Sequence, residues 1–348
     1  MSPLYITAKN GTIDSVILFV LGVLLVMDNS SVNKNSLSGM LMLTLCAFIW
    51  GTAFIAQSVG GEYAEPLTFN CARSFLATIF LFLCCLLFDK LSGKPFRVLG
   101  TDEPLRRDRT IKGGIICGIA LTLASFMQQL GIMYTTVGKS GFITALYIVL
   151  VPFLSYAIYR TRITLVQCIS VGIAAVGMYF ICINEGFSIN NGDFYTLICA
   201  ICFAAQIIAV DKVIANLDGV RLSLVQFATC TVLNGVLMFI FESPSLTNVL
   251  LGWVPIAYAG IMSSGVAYTL QIVGQKHCNP VLACMIMSLE SAFALLSGWL
   301  LLGQAMSSRE IFGCVLVFAA IMLAQIPTEM LPWGKKRLLK IIYIIRLN

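Results

Sequence analysis

The sequence predicts an all-α integral membrane protein, with ten transmembrane helices arranged as two inverted five-helix repeats around a central cavity. Of its 348 residues, 59% are hydrophobic and only 11% are charged, against roughly 45–50% and 25% in a soluble domain. The mean hydropathy is +0.92. Apolar stretches of about twenty residues recur along the chain, and each is long enough to cross a hydrocarbon core of about 30 Å as a helix.

Polar breaks between the apolar runs delimit the predicted elements. The ten spans are 39–59, 67–88, 113–134, 140–159, 164–183, 193–211, 222–241, 252–274, 280–302 and 309–326. A further run, IDSVILFVLGVLLVM at 13–27, is short for a crossing. It is typical of a signal-peptide core or an upstream extension, with Met27 as an alternative start. We therefore divide the chain into an N-terminal extension (1–37), two repeats (38–185 and 190–327) and a basic tail (328–348).

The distribution of Lys and Arg between the spans predicts the orientation of the chain. Eighteen basic residues fall on the side that holds the 89–112 loop and the tail, and only Lys139 and Arg309 fall on the other. We therefore expect a multi-pass protein of the plasma (cytoplasmic) membrane with both termini in the cytoplasm. The net charge of +6 fits an anionic inner leaflet of the lipid bilayer, and no nucleic-acid partner is predicted.

The second half of the chain repeats the first. The segment LCAFIWGTAFI (45–55) aligns with ICAICFAAQII (198–208), and SVGIAAVGMYFI (170–181) aligns with FGCVLVFAAIML (312–323). Each unit holds five spans, and an odd number forces the second copy to enter the membrane from the opposite side. Inverted repeats of this kind are typical of secondary transporters, which bind substrate near the bilayer midplane between the halves.

Away from their ends, the predicted spans contain two charged residues. Glu290 lies near the middle of the ninth span, where an ionised carboxylate costs at least about 2.5 kcal/mol. It either faces a hydrated cavity or forms a structural hydrogen bond between helices. Arg73 lies early in the second span, where its side chain either extends outward to the interface or points inward as a binding site for an anionic or zwitterionic substrate.

Four amides and three aromatic residues complete the predicted binding site. Amides in lipid either join helices or contact a ligand, whereas aromatic rings either pack in the core or present a flat face to a substrate. The candidates are Gln128, Gln129, Gln206, Gln271, Trp50, Tyr147 and Tyr268.

No cofactor or metal is predicted. Most of the 13 cysteines lie inside apolar runs, where a thiol behaves as a small buried hydrophobic group. The single histidine, His277, leaves no Cys/His cluster that could bind zinc.

Several of these residues resemble the drug/metabolite transporter superfamily, in its ten-helix branch with two tandem EamA domains. The resemblance covers about residues 38–327 and depends on Trp50-Gly51, Arg73, Pro152 and the sequence LES at 289–291. It implies a basket of helices around a central cavity and the export or exchange of small metabolites. Two positions depart from the family pattern: Ser291 stands where a proline usually follows the glutamate, and Gln304 stands where glutamate often follows the glycine.

These features leave three functional hypotheses. The first is a secondary transporter of small organic metabolites such as amino acids, which works by alternating access and in which Glu290 is also a candidate carrier of a coupled proton. The second is a lipid-linked carrier or flippase, which needs a lateral opening to lipid. The third, a membrane enzyme acting on an isoprenoid or lipid, usually requires several carboxylates to bind a metal, and only Glu290 is central in the spans.

Overall fold

The computed structural model describes residues 34–93, 95–160, 165–182, 189–213, 217–275, 286–287 and 289–324. The short apolar segment at 13–27 and the basic tail at 328–348 lie outside the described residues. Within them the fold is helical, and each predicted span contains helix. The helices are α1 Lys34–Gly60, α2 Pro66–Leu91, α3 Pro104–Ile132, α4 Val137–Ala145, α5 Tyr147–Tyr159, α6 Leu165–Cys182, α7 Asn191–Val213, α8 Gly219–Phe241, α9 Leu246–Leu251, α10 Trp253–Ala257, the π-helical segment Tyr258–Ala267, α11 Tyr268–Gln275, α12 Leu289–Leu302 and α13 Ser308–Ala324.

Six stretches within the described residues are long and apolar enough to cross a membrane. They are Leu37–Gly60, Pro66–Leu91, Pro104–Ile132, Val137–Ile158, Asn191–Val210 and Gly219–Phe241. Shorter apolar helices occupy Cys168–Ile181 and Leu289–Leu302. The structure therefore confirms the all-helical class and agrees with a multi-pass membrane protein, while the count of ten crossings stays a prediction.

The helix starts follow from the local sequence. Pro66 and Pro104 occupy the first helical position of α2 and α3, where the missing N–H costs nothing and the fixed φ suits a helix. The side chain of Asp218 accepts hydrogen bonds from the backbone N–H groups of Val220 and Arg221 at the start of α8, and so satisfies donors that the helix leaves free.

Two helical irregularities differ from the continuous spans that the sequence predicts. The fourth predicted span is divided at Leu146, whose backbone N–H bonds to the carbonyl of Ile143 three residues back. The eighth changes to π-helix over Tyr258–Ala267. Irregular turns inside helices frequently mark functional sites. Both positions therefore indicate a candidate functional site in the middle of the bundle.

Helices α2 and α8, which hold corresponding positions in the two halves, pack against each other in antiparallel directions. At the centre of the pair, the hydroxyls of Thr78 and Thr231 lie 3.3 Å apart and are separated by 153 residues in the chain. The alignment of the first and sixth spans has the same shift. The two threonines are therefore equivalent residues of the two halves that meet each other.

The same shift of 153 residues relates the two ends of this helix pair. At one end, Nη2 of Arg221 donates to Oδ1 of Asp89 at 2.6 Å. At the other, the carboxylate of Glu242 accepts from the backbone N–H groups of Leu67 and Thr68 at 2.7 and 2.8 Å. The shift carries Thr68 onto Arg221 and Asp89 onto Glu242. The two end contacts, which we call clasps, therefore join the same pair of aligned positions. At about 1.5 Å per residue they lie roughly 30 Å apart, which is close to the thickness of a bilayer core.

These clasps define the two ends of the bundle. We call the end with Asp89, Arg221 and the charged 95–112 segment the basic end, and the end with Thr68 and Glu242 the far end. The close contact of Gly113 with Val213 belongs to the basic end, and the contacts of Gly131 and Gly192 with their neighbours belong to the far end. Consecutive long helices thus run in alternating directions.

The centre of α1 lies unusually close to α12, and we expect glycine to be required there. A Cβ atom at Gly51 would lie 2.5 Å from Cβ of Phe293 and 2.7 Å from the carbonyl oxygen of Glu290. The substitution Gly51→Ala should therefore lower the free energy of unfolding by about 1–3 kcal/mol, as overpacking does elsewhere. Gly172→Ala is the matched control, because a Cβ atom there meets nothing within 4 Å. Thermal unfolding of the purified protein in detergent measures both, and equal midpoints would contradict the close contact.

Candidate substrate-binding site

Glu290 lies in the first turn of α12 and is buried, with 4% of its surface exposed. The hydroxyl of Tyr147 lies 3.5 Å from its Oε1 atom. Tyr147 is the first residue of α5 and follows the break at Leu146 directly. The break in the helix thus brings a phenol group close to the buried carboxylate, an arrangement that resembles the substrate sites of discontinuous membrane helices.

Trp50 and Tyr268 form an aromatic wall beside this carboxylate. Their ring centroids are 5.3 Å apart in an edge-to-face arrangement, and Tyr268 makes a second edge contact with Phe227 at 5.3 Å. The indole N–H of Trp50 donates to the carbonyl of Ser263 at 3.1 Å. Ser263 lies inside the π-helical segment, so this irregular helix fixes the orientation of the indole ring.

Arg73 is the buried cation of the site. It is only 9% exposed, with its guanidinium carbon 5.9 Å from the centroid of the Phe69 ring. Tyr268, Cys230 and Cys199 lie in its surroundings. Cys199 and Tyr268 also lie in the surroundings of Glu290, so the two buried ionisable groups share two neighbours.

The four predicted amides lie on three helices: Gln128 and Gln129 on α3, Gln206 on α7 and Gln271 on α11. Gln129 is fully buried at the far end, where its Nε2 atom donates to the carbonyl of Gln57 at 2.7 Å and so joins α3 to α1. Nε2 of Gln271 lies 3.9 Å from the sulfur of Met287. Gln128 and Gln206 are 7% and 5% exposed. One central cluster therefore contains Trp50, Arg73, Tyr147, Tyr268 and Glu290. Gln129 lies outside this cluster and forms a contact between two helices.

Sequence reasoning missed several buried polar groups. The shift of 153 residues carries Arg73 onto Gln226, whose Nε2 atom is buried without a hydrogen-bond partner among the described residues. Oδ1 of Asn70 and the hydroxyl of Ser140 are also buried without a hydrogen-bond partner among the described residues. The repeat itself was the signal that could have identified Gln226, because it stands where the first half has its buried arginine.

Across the part of the chain that the structure describes, no group of three or more His, Cys, Asp or Glu side chains could bind a metal ion. The chemistry that this cluster offers is recognition. A guanidinium, a carboxylate, a phenol and two aromatic faces can hold a small molecule that carries both charged and apolar groups.

Comparison with known proteins gives one family and several relatives. The profile of the EamA-like transporter family matches residues 37–183 and again 190–325. A protein of Archaeoglobus fulgidus named "Uncharacterized transporter" is 28% identical over 287 residues, which cover 82% of this chain and 84% of that protein. "Uncharacterized transporter YoaV" of Bacillus subtilis is 21% identical over 290 residues, which cover 81% of this chain and 94% of that protein. A solved crystal structure superposes with a TM-score of 0.56 at 18% identity, covering 82% of this chain and 97% of that chain, and shows the fold alone.

The ring of Tyr268 is expected to be a packing centre of the site, because it contacts Trp50 on one side and Phe227 on the other. The Tyr268 side chain is half-buried, so Tyr268→Ala should lower the free energy of unfolding by less than the roughly 3–5 kcal/mol that removal of a fully buried ring usually costs. Tyr268→Phe keeps both edge contacts and should cost far less. Thermal unfolding in detergent compares the two variants. An equal loss in both would assign the stabilisation to the hydroxyl rather than to the ring.

Proposed function

This chain belongs to the EamA-like transporter family, and on that premise we propose that it is a secondary transporter that moves a small zwitterionic metabolite, such as an amino acid, by alternating access. That the protein is a membrane transporter follows from the family and from the names of its relatives. The substrate class, the mechanism and the direction of transport are the proposal.

The packing of α2 on α8 supports an inverted repeat. Equivalent residues of the two halves meet at Thr78 and Thr231, and equivalent clasps lie at the two ends. Helices α6 and α13, the last of each half, are also antiparallel neighbours: a Cβ atom at Gly177 would lie 2.8 Å from Val317, and Arg309 lies over the ring of Tyr179. Two copies related in this way can alternate between equivalent inward and outward shapes.

The observation that carries the substrate class is the burial of two ionisable side chains of opposite type, the guanidinium of Arg73 and the carboxyl group of Glu290. Among the described residues, neither Arg73 nor Glu290 forms an ion pair. A buried charge without a counter-ion is costly, and a zwitterion compensates both, with its carboxylate on Arg73 and its ammonium on Glu290. Trp50, Tyr147 and Tyr268 would surround the body of the substrate.

The basic end supports a cytoplasmic location for both termini, because Lys and Arg accumulate on the cytoplasmic side of membrane proteins. Since the far end would then face outward, we assign the protein to the plasma membrane and propose export or exchange as its direction.

Transport assays test this proposal. Purified protein in liposomes should exchange labelled amino acids, and Arg73→Gln and Glu290→Gln should each reduce the rate by on the order of tenfold or more, because each removes one charge-assisted contact to the substrate. Lys112→Gln is the control, since Lys112 pairs with Asp108 on the exposed surface. A panel of amino acids that shows no flux with the parent protein, or variants that transport at the parent rate, would count against the proposal.

Proton coupling is a separate prediction for Glu290. If this carboxylate carries the coupled proton, a pH gradient should drive uptake by the parent protein and should have no effect on Glu290→Gln, which cannot ionise. Gradient-driven uptake is expressed relative to each protein's own substrate exchange at equal pH on both sides, because Glu290→Gln is expected to bind the substrate more weakly. Full gradient-driven uptake by Glu290→Gln would exclude this residue as the proton site.

A further inference from the structure

We propose that Lys139, Asp193 and Glu310 form an ionic latch that holds the far end of the transport pathway shut, and that the structure represents the conformation closed at that end. This inference rests on the proposed function and adds to it the position of one gate. The latch joins α4 of the first half to α7 and α13 of the second.

The geometry of the latch is that of a partly desolvated charge cluster. Nζ of Lys139 lies 2.5 Å from Oε1 of Glu310 and 4.0 Å from Oδ2 of Asp193. The side chains of Lys139, Glu310 and Asp193 are 13%, 21% and 1% exposed. The hydroxyl of Thr135 donates to the other oxygen of Asp193. Ion pairs that are screened from water in this way are stronger than exposed ones.

The distribution of basic residues singles out this end. In the predicted topology, Lys139 and Arg309 are the two exceptions to the accumulation of Lys and Arg at the basic end. Both are engaged across the two halves: Lys139 contacts carboxylates of the second half, and Arg309 lies 5.5 Å from the centroid of the Tyr179 ring in the first half. The far end thus places its basic residues where they join the halves.

Among the described residues, the positions that align with Asp193 and Glu310 do not repeat the latch at the basic end. The shift of 153 residues carries Asp193 onto Met40, which is buried in an apolar cluster. The alignment of the fifth and tenth spans carries Glu310 onto Cys168. Cys168 is exposed. Neither aligned position carries a charge, and the ion pair that joins the two halves at the basic end, Arg221 with Asp89, lies instead on the α2–α8 contact. An asymmetric contact can favour one state of an otherwise symmetric transporter.

Buried amides at the far end indicate what the latch covers. Oε1 of Gln57, Oε1 of Gln129 and Oδ1 of Asn70 are buried without a hydrogen-bond partner among the described residues. Leaving buried polar atoms unpaired is unfavourable, and hydration would remove that cost. These oxygens therefore fit the wall of a pathway that admits water when the far end opens.

Thiol labelling from the far side of the membrane tests the latch. Gln57→Cys places a thiol on this wall and keeps the backbone carbonyl that Gln129 uses. Its labelling by a membrane-impermeant maleimide is measured as the increase over the parent protein, whose native cysteines give the background. Glu310→Gln in the same chain should raise the labelling rate by on the order of tenfold, the effect of a 1.4 kcal/mol shift between closed and open states. Lys112→Gln, which breaks an exposed pair at the basic end, should leave the rate unchanged.

A charge exchange separates gating from misfolding. The variant Lys139→Glu/Asp193→Asn/Glu310→Lys retains an ion pair between α4 and α13 and avoids placing a new carboxylate beside the buried Asp193, so it should restore slow labelling, with a melting temperature near that of the parent. A labelling rate that is unchanged in Glu310→Gln, or equally high in the charge-exchanged variant, would overturn the proposal. The assay requires no transported substrate, so absence of amino-acid flux would count against the proposed function and leave this result intact.

Discussion

The antiparallel pairing of α2 with α8 is the contact on which the rest of the structure depends. A chain that is 11% charged places Asp89 and Glu242 at the ends of these two helices, and each carboxylate binds the start of the opposite helix. Because the helix length between the clasps matches the bilayer core, the pair sets the span and the direction of both halves. The π-helical segment packs against α2, and helix α3 packs against α8.

Between the two ends of this helix pair, charged side chains are rare, and the few that occur indicate functional positions. Arg73 lies on the far-end side of the Thr78–Thr231 contact, while Glu290 approaches from α12 near the break at Leu146. Burial makes each of them costly without a partner, and an aromatic wall keeps them in a defined environment. The far end also holds an enclosed cation, Lys139, in contact with two carboxylates. In the proposed mechanism, substrate binding and gating both rely on charge interactions that are screened from water.

Much of the fold was predictable from the sequence because hydropathy and the repeat act over long stretches. Ten intervals were predicted to be helical, and the described residues contain helix in each of them. The buried position of Glu290 followed from the cost of a carboxylate in an apolar span. The division at Leu146 was not predictable, because neither glycine nor proline marks it, and the π-helical turn at Tyr258–Ala267 depends on contacts such as that of Trp50 with Ser263. The repeat could have identified Gln226 as the counterpart of Arg73, whereas the lack of a hydrogen-bond partner for its Nε2 atom among the described residues follows only from the packing of the helices.

Binding of chemically matched ligands tests the central claim most directly, namely that the buried Arg73 and Glu290 recognise the two charges of one substrate. The measurement is isothermal calorimetry on the protein in lipid nanodiscs, with an amino acid, its carboxamide and its deaminated acid as ligands. The account predicts that the zwitterion binds on the order of tenfold or more tightly than either analogue. It also predicts that Arg73→Gln and Glu290→Gln each remove that preference. Equal affinity for all three ligands would contradict it.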